Sequence, residues 1–214
     1  MDKLCQLFLR TKVLTSSHTA SFCYTRKMKK AIILHGWSRE KEYFDPTRPS
    51  DSNNHWLPWI QHELLLKGVL AQTPEMPDAY IPDYEKWKKT FEQFDINEET
   101  ILIGHSCGGG FLVRWLSENN IKVGKVVLVA PWLDPEKEID ENFFQFKIDS
   151  ELASKTDGLV VMYSIDDGSS ILKTIDTLKS ETSNIEFQEF EDKGHFVLSS
   201  MKTVEFPELL SVLT

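Results

Sequence analysis

The sequence predicts an α/β protein, a mostly parallel sheet with helices on both faces. Two observations predict it. From Lys29 onward, short apolar runs rich in β-branched residues alternate with longer amphipathic stretches, the pattern of βαβ units whose strands are covered on both sides. The chain is also 214 residues long with 41% hydrophobic residues, enough to bury one core and short for two.

Residues 31–35 (AIILH) form a compact β-branched run closed by Gly36 and read as a buried strand. The polar stretch 38–54 carries two prolines and no periodicity, so a loop is expected there. Residues 55–68 place Trp56, Trp59, Ile60, Leu64 and Leu65 on one helical face, and Gly68 suits the helix end. A second short strand is read at 69–74. Over 83–94, Asp83 suits an N-cap and Trp87, Phe91 and Phe94 form a buried stripe. Residues 99–106 (ETILIGHS) are the strongest strand, and 107–120 is helical through the spacing of Phe111, Leu112, Trp115 and Leu116. Strands follow at 125–131 and 158–164, whereas the mixed, acidic stretch 132–155 has no assignable pattern. An amphipathic segment at 169–180 and an alternating, half-buried strand at 184–192 come next. A helix is expected over 204–214, with Pro207 near its first turn.

Asp and Glu number 33 against 24 Lys and Arg, a formal net charge of −9, which argues against nucleic acid as a partner because phosphate binding needs a basic surface. Cys5, Cys23 and Cys107 show neither disulfide pairing nor zinc-ligand spacing, so no metal is expected and a reducing, cytoplasmic compartment fits. Residues 1–27 are basic and Ser/Thr-rich, with Lys3, Arg10, Lys12, Arg26 and Lys27 against Asp2 alone. They read as a poorly ordered extension outside a domain spanning 28–214. Their composition also resembles an organelle-targeting presequence, since the continuous apolar core of a secretory signal is missing. No apolar run reaches the roughly 18 residues of a membrane helix, so stable membrane insertion is not expected.

The chemistry centres on Gly104-His105-Ser106-Cys107-Gly108, a G-x-S-x-G between the strongest strand and a helix. A sharp strand-to-helix turn lifts the serine hydroxyl above the sheet, and glycines on either side admit close backbone approach. The Cys107 N–H then points from the positive end of the helix toward an oxyanion at a substrate carbonyl. A serine needs a base and an orienting acid. Downstream of Ser106 the one histidine is His195, in Asp192-Lys193-Gly194-His195-Phe196 after the last strand. The acid belongs at the carboxyl end of the preceding strand, where Ser164-Ile165-Asp166-Asp167-Gly168 offers two carboxylates. Chemistry alone does not choose between Asp166 and Asp167; the other is expected to cap the helix after it or to sit in a solvated turn. His35-Gly36-Trp37 fills the loop after the first strand, and the Trp37 N–H is the candidate second oxyanion donor. His35, Gly36, His55, Trp56 and Trp132 are candidate pocket residues.

Gly-His-Ser-x-Gly, the Ser-x-Asp-Asp turn and Gly-His-Phe together resemble one family, over about residues 28–214. It is that of the small α/β-hydrolase serine hydrolases, which includes the retinoblastoma-binding-protein-type hydrolase and its bacterial relatives. The resemblance implies a single-domain α/β-hydrolase fold with little or no lid and hydrolysis without a cofactor. It also implies that the second aspartate of the pair, Asp167, is the acid. No Leu-x-Cys-x-Glu segment is present, so retinoblastoma binding is not carried over.

The expected reaction is cleavage of an ester-like or amide acyl bond through an acyl-enzyme. Ser106 attacks, His195 moves the proton, Asp167 holds the imidazole, and the N–H groups of Cys107 and Trp37 receive the oxyanion. The partner is then a small-molecule or acyl substrate. A non-catalytic binding protein on the same scaffold, or an acyltransferase, are the alternatives.

Overall fold

The most continuous apolar runs become the inner strands of one sheet. In the computed structural model, which describes residues 28–139 and 141–214, these are β1 (Lys29–Leu34), β3 (Ile101–His105), β4 (Val126–Val129) and β5 (Leu159–Ser164). Every residue of β3, β4 and β5 is buried, as strands covered on both faces require. The edges are β2 (Val69–Gln72), which alternates buried and exposed, and β6 (Glu186–Phe190), which is only half-buried. The order is β2-β1-β3-β4-β5-β6 and every pair is parallel. The chain steps outward from β1 to β2, then returns across β1 to β3. Strand order therefore reverses between β1 and β3, the place where open α/β sheets hold ligands.

The helices are α1 (Glu40–Tyr43), α2 (Leu57–Leu66), α3 (Tyr84–Phe91), α4 (Cys107–Glu118), α5 (Ser169–Glu181), α6 (Leu198–Met201) and α7 (Pro207–Leu213). α2 packs on β2 and against α7, and α4 packs on β3. Asp83 caps α3 through its side chain, accepting the Lys86 N–H at 2.8 Å. Phe91 of α3 meets Phe111 and Trp115 of α4 edge-on, at 5.4 and 5.0 Å between ring centres. Burying each such ring contributes about 1.5–3 kcal/mol, and the edge-on geometry adds to it.

Several expectations need correction. The stretch 38–54 is not wholly loop: it holds α1 and a 3₁₀ turn at Asp51–Asn53, both too short to leave a periodic signal. His55 does not start α2, because its φ of 55° lies in the left-handed region. Leu57 begins the helix, and Leu57, Ile60 and Leu64 form its buried stripe. Leu65, expected on that face, is 52% exposed, since one residue beyond Leu64 turns about 100° around the axis. The stretch 132–155 holds 3₁₀ turns at Glu141–Phe143 and Leu152–Lys155 and buries Phe143 and Leu152 singly rather than on a periodic face, with side-chain bonds to backbone beside them. The Asp134 carboxylate accepts the N–H groups of Glu138 and Ile139, and the Arg114 guanidinium donates to the carbonyls of Asn142 and Phe143. The short helix α6 also carries no sequence period. The expectations for residues 1–27 lie outside the described residues.

Candidate active site

Ser106 joins β3 to α4 at φ 53° and ψ −121°. A non-glycine residue at positive φ costs on the order of 1–3 kcal/mol and persists only where its surroundings hold it. Here they do. Its N–H donates to the Val129 carbonyl at 2.9 Å, and its own carbonyl accepts from Gly110 and Trp132, each at 3.0 Å. The residue ends 9% exposed, with its hydroxyl at the carboxyl edge of the sheet.

Two glycines allow the crowding around it. A Cβ on Gly36 would sit 2.9 Å from Ser106 Cβ, and a Cβ on Gly108 would sit 2.4 Å from the His35 carbonyl oxygen. Both contacts bring the β1 loop against the start of α4. Among the described residues, no hydrogen bond engages the Trp37 N–H, and as the first residue of α4 Cys107 has no intrahelical acceptor for its own. Burial pushes the Cys107 thiol well above the usual range, so its sulfur stays protonated.

Three side chains that are far apart in sequence form a continuous line. His195 Nε2 lies 2.9 Å from Ser106 Oγ, and His195 Nδ1 lies 2.9 Å from Asp167 Oδ2 and 3.2 Å from Oδ1. A carboxylate only accepts, so Nδ1 carries the proton and Nε2 accepts from the serine hydroxyl. Asp167 follows β5 and also accepts the Gly168 N–H at 2.6 Å; its side chain is 5% exposed. Asp166 makes no bond to the imidazole. It does not cap α5 either, whose N-cap is Gly168.

Beside Ser106 lies a cavity of about 360 Å³, within the range of small-ligand sites. His35, Gly36, Trp37 and His55 line it together with Ser106 and His195. His35 also ties β1 to the chain beyond β2, its Nε2 accepting the Met76 N–H at 2.8 Å. His55 Nδ1 accepts the Leu198 N–H at 3.1 Å. Desolvation first, then the nearby Arg48 and His195, push its pKa down to about 4, so the ring is neutral at pH 7.

Two expected pocket residues lie elsewhere. Trp56 is fully buried between His105 and Phe206, at 5.7 Å from each ring, because α2 turns its first residues onto α7. Trp132 packs against Trp37 and Phe144 and donates from Nε1 to Ser170 Oγ at 2.7 Å. Neither lines this cavity. In their place stand Arg39, Glu42, Arg48, Asp51 and Asn54, from the stretch read as a loop. Arg48 pairs with Glu42 at 3.0 Å. The one signal that could have found them is position, since they follow the carboxyl end of β1. No sequence signal assigns a role to His105, whose ring lies 5.0 Å from that of His195.

Among the described residues, no group of acidic, histidine or cysteine side chains is arranged to hold a metal, and no helix is long and apolar enough to cross a membrane.

Residues 31–214 match the family described as Serine hydrolase. YdeN of Bacillus subtilis is 28% identical over 149 residues, which cover 62% of this chain and 73% of YdeN. The YdeN crystal structure superposes with a TM-score of 0.69 at 26% identity, covering 86% of this chain and 96% of that one. Two other structures share the fold. A YdeN-like protein of Pectobacterium atrosepticum has a TM-score of 0.57 at 17% identity, covering 86% and 89% of the two chains. MGS-MChE2, an α/β hydrolase enzyme from the metagenome of Mar Chica lagoon sediments, has a TM-score of 0.61 at 16% identity, covering 87% and 90%.

Proposed function

The chain belongs to the Serine hydrolase family, and on that premise we propose that it cleaves an ester-like or amide acyl bond through Ser106, His195 and Asp167. The observation that carries this reading is the unbroken line from Ser106 Oγ to His195 Nε2 and from Nδ1 to the Asp167 carboxylate, each step 2.9 Å. His195 takes the serine proton as Oγ attacks the acyl carbon, and Asp167 stabilises the imidazolium that forms. The carbonyl oxygen becomes an oxyanion and receives the N–H groups of Cys107 and Trp37. Collapse expels the alcohol or amine, which leaves with the proton that His195 returns. Water then attacks the acyl-serine with the same histidine as base, releasing the acid and restoring Ser106. The cavity is open to esters of modest size, and its histidine, arginine and carboxylate groups suit a substrate with polar substituents.

The test is incubation with a fluorophosphonate and measurement of intact mass, with Ser106→Ala in parallel. One adduct per chain in the wild type and none in the variant is the expected result. A folded wild-type protein that takes up no label would overturn the reading in favour of a binding protein with an idle serine.

A further inference from the structure

Asp166 neighbours Asp167 but grips a different part of the histidine loop. Its Oδ1 accepts the Gly194 N–H at 2.9 Å and the Ser164 hydroxyl, while Ser164 Oγ accepts the Lys193 N–H at 3.1 Å. On the other side, His105 Nε2 lies 2.9 Å from the His195 carbonyl oxygen. A carbonyl only accepts, so the His105 proton sits on Nε2 and is donated there. Three consecutive residues, Lys193, Gly194 and His195, are thus tied to groups at the carboxyl ends of β5 and β3.

This stretch needs holding. It lies between β6 and α6, outside any strand ladder, and His195 is flanked by Gly194 at φ 51° and Phe196 at φ 53°. A phenylalanine in the left-handed region is strained, and strain of that kind relaxes unless neighbours over-determine the backbone.

We propose that Asp166 is a positioning residue that grips the backbone ahead of His195 and, against the hold of His105 on the His195 carbonyl, sets where the imidazole meets Ser106. The proposal rests on the reading of Ser106 and His195 given above. The two adjacent carboxylates then have separate roles, with Asp167 orienting the ring and Asp166 locating the residue that bears it. The ionisation states agree with the geometry. The Ser164 hydroxyl, and then the Gly194 N–H, hold the Asp166 carboxyl below the usual carboxylate range, so it remains an acceptor at neutral pH. Burial and the nearby His195 hold His105 well below the usual histidine value. It therefore donates its hydrogen bond without a positive charge that would oppose the imidazolium forming 5.0 Å away.

The test compares wild type, Asp166→Ala and Asp166→Asn by two measurements, the rate and final stoichiometry of fluorophosphonate labelling and the amide hydrogen exchange of Lys193 and Gly194 by NMR. Asp166→Ala should reach the same final stoichiometry about 10- to 100-fold more slowly, the upper end being the loss that a misplacement of about 1 Å produces, and both amides should exchange faster. Asp166→Asn keeps an oxygen acceptor and should restore most of the rate and protection. Exchange in Asp166→Ala at the wild-type rate, or labelling at the wild-type rate, would overturn the proposal. An Asn variant as slow as the Ala variant would also overturn it, by assigning the effect to charge. A wild type that never labels refutes the acyl-transfer reading and the positioning role with it, while amide exchange still reports whether the grip itself exists.

Discussion

Ser106 bears its hydroxyl on a backbone that a glycine would adopt more easily, at φ 53°. The strain and the proposed reactivity share a cause, since the turn that strains the backbone also projects Oγ toward His195. This makes a prediction that separates the two. Ser106→Ala and Ser106→Gly both remove the hydroxyl and should both abolish labelling, yet the glycine variant should be the more stable by about 1 kcal/mol, because only it adopts this conformation without strain. Urea unfolding of the two variants reads the difference; equal midpoints would mean that the surroundings, not φ, set the energy of the turn.

The elements that can be read from the sequence are those with a period or a continuous apolar run. β1 and β3 to β5, α3 with its Asp83 cap, and α4 lie where the pattern puts them because burial on one or two faces leaves a repeating mark. Elements of one turn leave none, so α1 and α6 are not legible. The site divides along the same line. Ser106, His195 and the Asp166–Asp167 pair are marked by a motif or by their place after a strand. The choice within that pair is carried only by the family resemblance, while the grip of His105 and the wall formed by Arg39 and Arg48 depend on where loops fold back, which no local pattern records. The β1 loop illustrates how an element would carry the proposed chemistry. Gly36→Ala would press a methyl against Ser106 Cβ at 2.9 Å, and the loop must retreat, taking the Trp37 N–H with it. Loss of one oxyanion donor costs about 10²–10³ in rate, so the Gly36→Ala variant should fold and turn over a chromogenic ester that much more slowly; undiminished turnover would remove Trp37 from the site.

On the scale of the whole molecule, burial keeps two histidines beside the site, His55 and His105, uncharged. The unfolded chain protonates His55 near pH 6.5, whereas the folded protein does so only near about 4. Between these values the unfolded state binds more protons, so this contribution to stability is fully present above pH 6.5 and is lost as pH falls toward 4. Discounted for the solvent that reaches the half-buried ring, the loss is on the order of 2 kcal/mol; His105 acts in the same direction. Urea midpoints should fall from pH 7 to pH 4.5, and less steeply in His55→Asn, which keeps an acceptor for Leu198 and tolerates the left-handed backbone. Equal slopes would exclude His55 as a source. The order of strands has a further consequence in time. Ser106 and His195 stand 89 residues apart along the chain, and a ribosome adding roughly 5–20 residues per second adds Ser106 several seconds before His195. Throughout that interval the nascent polypeptide carries a serine with no base beside it. On the proposed acyl-transfer reading, Ser106 gains its base only once the histidine loop after β6 is made, so a half-made chain should neither consume acyl donors nor acylate itself.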